Sequence, residues 1–145
     1  MLTLCFLLLA AAFATQHEHP VMGFDLAKTT HHFYLTGTGG RIDVTAANAS
    51  DATSVTQIRT HLQHIAHEFA DGRFDTPFQT HGEVPPGVAE MQSGKHNITY
   101  RYADLPQGGA VRILTKDAQS LNAVHAFLRY QITEHRTGDA IGSAP

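Results

Sequence analysis

The chain has 145 residues, a formal net charge of −3 with histidine neutral, one cysteine and eleven histidines. That length suits one domain with a core of its own. A mildly acidic balance with no basic run argues against nucleic acid or an anionic membrane surface as a partner. The single cysteine, Cys5, lies in the first apolar run, so a disulfide framework and a thiolate metal site are both excluded. Any metal site must use His, Met, carboxylate or backbone groups.

Residues 1–14 read MLTLCFLLLAAAFA, an apolar run closing on Ala12-Phe13-Ala14. This small-x-small ending predicts a signal peptide cleaved near Ala14, although no Lys or Arg precedes the run. The run is shorter than the ~20 residues a bilayer crossing needs. A periplasmic or secreted protein is therefore expected. Thr15 to Thr30 is polar and without clear period, which suggests an extended arm over 15–30.

From residue 31 the chain reads as one α+β domain ending near Gly138. His31 to Thr36 has strand composition, Gly37-Thr38-Gly39-Gly40 is turn chemistry, and Arg41 to Ala46 alternates, together a hairpin signal. Asp51 is placed to cap a helix in which Val55, Ile58, Leu62, Ile65 and Phe69 recur at helical spacing, with Gly72 closing it. Residues 73–94 hold Pro77 and Pro85-Pro86-Gly87 and no sustained period, and predict a long loop.

Asn97 to Tyr102 and Val111 to Leu114 around Gly108-Gly109 predict a second hairpin. Asp117 then caps a last helix carrying Leu121, Val124, Leu128 and Ile132. The tail over 139–145 is expected to fray. Two ββα units in succession predict a four-stranded antiparallel sheet with both helices packed on one face. Ile58-x-x-His61-Leu62-Gln63-His64 also matches Val124-x-x-Phe127-Leu128-Arg129-Tyr130 weakly, as a duplication would.

Neutral imidazole is the commonest protein metal ligand, so the histidines carry the functional question. On the first helix His61, His64 and His67 follow one another at three-residue intervals. Helical geometry puts His61 at the border of the core and turns His64 and His67 outward. His61 and His64 remain a candidate two-ligand arm. On the last helix His125 falls on the buried face, and His135 sits in the final turn, where the helix dipole favours an imidazolium. His31 and His32 point to opposite faces of a strand, so only one can reach the core side.

His81 in the long loop, with Glu83 and Met91 beyond it, makes a set suited to copper, since thioether favours Cu(I) and imidazole accepts both oxidation states. Cleavage after Ala14 would also expose Thr15-Gln16-His17, whose amine, two amides and imidazole form a square-planar site of the kind Cu(II) and Ni(II) prefer.

The segment Val21-Met22-Gly23-Phe24-Asp25-Leu26-Ala27-Lys28-Thr29-Thr30-His31-His32-Phe33 resembles an uncharacterised family of small exported bacterial proteins. His81-Gly82-Glu83-Val84-Pro85-Pro86-Gly87 with Met91, and Val124 to Ile132, are similar to the same family. The resemblance implies export and a compact domain and assigns no catalytic residue. Members are sometimes labelled aspartate carbamoyltransferase; the phosphate-binding Ser-Thr-Arg-Thr loop of that enzyme does not occur in this sequence.

No G-x-S-x-G elbow, P-loop or dinucleotide glycine pattern is present, and no spacing nominates an acid–base pair. The sequence therefore points first to an exported domain that binds a transition metal, and assigns it no catalytic residue. Copper comes first, with zinc or nickel as alternatives, through His17, His32, His61, His64, His81, Met91 and His125. Two other readings stay open. One is a protein-interaction or adaptor domain whose histidines give a pH-sensitive surface; the other is haem ligation through His125 or Met91.

Overall fold

The computed structural model describes residues 22–142; the expected signal peptide and the His17 terminus lie outside them. The two predicted hairpins are β1 (Thr29–Thr36) with β2 (Gly39–Ala46), and β3 (Ile98–Leu105) with β4 (Gly108–Thr115). They join through their second strands into one antiparallel sheet of order β1-β2-β4-β3. In β1, Phe33 and Leu35 turn inward. Ile42 and Val44 do so in β2, and Val111 and Ile113 in β4. This period-two alternation leaves the other sheet face to solvent.

The long helices α1 (Ala52–Ala70) and α4 (Ala118–Glu134) cover the inward face. Each begins at an aspartate whose side chain accepts a backbone N–H three residues on: Asp51 from Ser54, Asp117 from Ser120. These side-chain caps satisfy donors that the first turn leaves open. Ile58, Leu62, Ile65 and Phe69 of α1 meet Val124, Phe127, Leu128 and Ile132 of α4 in a continuous core with the sheet. The α+β architecture expected from two ββα units is thus the one observed. None of the described helices is long and apolar enough to cross a membrane.

The segment over 73–94 is not a plain loop. It forms two short helices, α2 (Asp75–His81) and α3 (Val88–Ser93). Sequence period was too short there to reveal them, because each spans only about two turns. The donors at the start of α2 are met from outside the segment. Glu68 of α1, only 3% exposed, accepts from the backbone N–H groups of Asp75 and Thr76 at 3.0 and 3.1 Å. Between α2 and α3, Gly87 adopts φ +86°, and a Cβ there would stand 2.2 Å from the Ala123 carbonyl of α4. Only glycine lets the Pro-Pro-Gly turn lie this close.

Ordered structure also begins earlier and ends later than the 31–138 core. Phe24 is buried in the core ahead of a 3-10 turn over Leu26–Lys28. Asp139, expected in a fraying tail, accepts the Phe33 N–H of β1 at 2.8 Å and meets His32 Nδ1 at 2.8 Å.

Candidate functional site

Four histidines from four separate segments line one cavity of about 50 Å³: His31 on β1, His61 on α1, His81 at the end of α2 and His135 at the end of α4. Met22, Thr76, Thr80 and Gln131 share the lining, with Phe33, Phe69 and Phe127 closing the core side. Its volume admits one ion or a few waters, a single water needing roughly 10–15 Å³.

Each ring arrives for a local reason. His31 is on the same strand face as Phe33 and Leu35, so alternation sends it inward. His61 sits at the edge of the apolar stripe of α1 and packs edge-on against Phe24, with ring centres 5.3 Å apart. His81 is placed by α2, whose first turn is held by Glu68. His135 follows Gln131 by one helical turn and lies over Phe33 at 5.4 Å.

Two ring pairs define the geometry. His31 and His135 stack at 5.3 Å with planes 15° apart, and His81 meets His135 at 5.3 Å with planes at 86°. Two imidazoles on one tetrahedral ion, with metal–nitrogen bonds of about 2.0 Å, hold their ring centres about 5 Å apart. Nitrogen lone pairs lie in the ring plane. The centre spacing of His81 and His135 matches that of two ligands on one ion, and both this edge-to-face pair and the stacked pair His31–His135 need a ring rotation to aim their lone pairs at a common point. Among the described residues, no three His, Cys, Asp or Glu side chains are already gathered as a metal-holding group.

Burial sets the charge state of three of these rings. It pushes the His31, His61 and His135 imidazoles down from 6.5 to about 4; neighbouring histidines add to the shift, His135 and His61 acting on His31, His64 on His61 and His81 on His135. The imidazolium that the helix dipole favours at His135 is thus outweighed by desolvation and by the ring beside it. Neutral rings with free lone pairs are the form that binds metal.

Gln131, 4% exposed, accepts from His81 Nε2 at 3.0 Å, which leaves Nδ1 of His81 as its lone-pair nitrogen. A hydrogen bond of this kind orients a ligand ring. The side-chain nitrogen of Gln131 is buried with no partner among the described residues, an open donor in the wall of the cavity.

Of the residues named from sequence, His61 and His81 come together here and the others do not. His32 faces the open side of the sheet with Asp139 as partner. His64 is exposed, its ring 4.0 Å from Glu68. Met91 is completely buried in the core. The Nε2–H of His125 donates to the carbonyls of Thr36 at 2.9 Å and Gly39 at 3.0 Å, so this ring ties α4 to the β1–β2 turn. His17 is outside the described residues.

Sequence reasoning missed His31, His135 and Met22 as members of one set. Strand alternation sends only one of His31 and His32 inward without choosing between them, and neither it nor helical spacing carries that the start of β1 and the end of α4 adjoin. Comparisons with family models, with curated proteins and with solved structures returned no match.

Proposed function

We propose that this domain is an exported, non-catalytic binder of a transition metal ion, copper first, with His81 and His135 as the primary ligands. His31 and His61 complete the set after side-chain rotation, and the thioether of Met22 adjoins it. The observation that carries this reading is the convergence of four imidazoles on a single ion-sized cavity. Nitrogen ligands with an adjacent thioether suit copper in both oxidation states, and zinc or nickel would use the imidazoles alone. Export and the family resemblance rest on the N-terminal sequence and the segment from Val21 to Phe33.

The test is metal analysis of untagged protein followed by copper titration of the metal-free form. Micromolar or tighter binding is expected at one site per chain. The His81→Ala and His135→Ala variants should each weaken it at least about tenfold, while His64→Ala and His32→Ala leave it unchanged. Failure of the intact protein to bind copper, zinc or nickel at that level sinks the reading. Equal loss from the exposed His64 would move the site elsewhere.

A further inference from the structure

The solvent-facing side of the sheet carries an arrangement that the histidine cavity does not use. Tyr34 of β1 stands opposite Arg41 of β2, Arg41 opposite Arg112 of β4, and Arg112 opposite Arg101 of β3. Three guanidinium groups from neighbouring strands thus form one row across the sheet. Strand spacing of about 4.8 Å brings the side chains of such a row within reach of one another. Like charges placed directly opposite destabilise a sheet.

Of the three, only Arg41 forms an ion pair among the described residues. Its Nε lies 2.8 Å from Asp43 Oδ1, and its guanidinium covers the Tyr34 ring at 4.4 Å. The side chains of Arg101 and Arg112 are exposed and form no ion pair or hydrogen bond within 22–142, although the Asp43 carboxylate is near enough to Arg112 to feel its charge. The chain as a whole is acidic, so this row is a local charge of opposite sign.

Beside it runs a groove of about 760 Å³, bordered by Arg41, Arg112, Tyr34, Leu114 and Ala140. The Asp139 carboxylate, already engaged by His32 and the Phe33 N–H, is also in its wall. This volume lies within the ~300–1,000 Å³ of small-molecule sites. The row and the groove share Arg41 and Arg112. A second copy of the chain docked face to face in register would set arginine against arginine, which disfavours the sheet face as its own partner.

We propose that this face binds a free single-chain amphiphilic anion. Its oxyanion head, carboxylate or phosphate, sits on Arg112 between Arg41 and Arg101, and its apolar tail lies in the groove along Tyr34, Leu114 and Ala140. Planar guanidinium forks match either head in a bidentate fashion, and three of them relieve their own repulsion when an anion sits among them.

Calorimetric titration with decanoate and with decyl phosphate, each below its aggregation concentration, tests the site, with decanol as the neutral control. Both anions are expected to bind, more weakly as salt rises, and decanol is not. Arg112→Gln should weaken both at least about tenfold, the loss of a charged hydrogen bond. The same variant should keep the copper affinity and melt no lower than the parent, because it removes repulsion. Equal binding of decanol, indifference to Arg112→Gln, or no binding of either anion overturns the proposal. Binding to phosphatidylglycerol vesicles without binding of the free amphiphiles overturns it as well and assigns the face to a membrane.

Discussion

His31 and His135 lie ring on ring, their centres 5.3 Å apart, although the chain separates them by almost the full length of the domain. One lies near the start of the first strand and the other caps the end of the last helix. Two buried neighbouring imidazoles cannot both take a proton cheaply, and this governs how the domain responds to acid.

Stability should fall as pH drops below neutrality. Unfolded histidines titrate near 6.5, whereas His31, His61 and His135 in the fold are held at about 4. Between those values the unfolded chain binds more protons, so their contribution is fully present above 6.5 and is lost progressively as pH falls through about 4. Urea unfolding at about pH 7.5 and about pH 5 should give a clearly lower midpoint in acid. The dependence should flatten in His31→Gln. A parent midpoint that does not move across this range contradicts the account.

Glu68→Ala should destabilise the protein by about 1–2 kcal/mol, since it strips two backbone donors at the head of α2 of their acceptor. Glu68→Gln keeps one acceptor oxygen and should lose less. Because α2 carries His81, copper affinity should fall in the same order as the thermal midpoint.

His125→Ala should cost about 1–3 kcal/mol by leaving the Thr36 and Gly39 carbonyls without their donor. Copper affinity, measured where the variant is folded, should stay at the parent value. Loss of copper without loss of stability would return His125 to the list of ligands.

Two glycines with similar backbone angles should respond differently to alanine. Gly82 has φ +73° and open space around it, so Gly82→Ala should cost only about 1 kcal/mol of left-handed strain. Gly87→Ala adds a collision with the Ala123 carbonyl and should cost several times more. Thermal melts of the two variants side by side measure the contrast.

The sheet and the long helices were legible because alternation, aspartate caps and the Ile58–Leu62–Ile65–Phe69 spacing all agree on them. α2 and α3 were not, since a helix of six or seven residues owes its existence to Glu68 and to the core beneath Met91 rather than to its own period. The site was half legible. Periodicity gives the direction of a side chain on its own element, and it set His61 at the border of the core and His125 on the buried face, where they lie. It does not say what waits there: an imidazole cluster for His61, two carbonyls for His125.

Asp139 has a consequence beyond its partners. β1 is an outer strand, and its outward N–H groups could pair with a strand from another molecule. The Asp139 carboxylate already occupies the donor of Phe33, and the hydrogen bonds of that N–H and of Thr137 and His32 hold it ionised against the opposing effect of burial. A negative charge fastened to the middle of the edge works as a guard against aggregation. A chain shortened before Asp139 would leave that edge open, and its tendency to form β-rich assemblies at high concentration should rise.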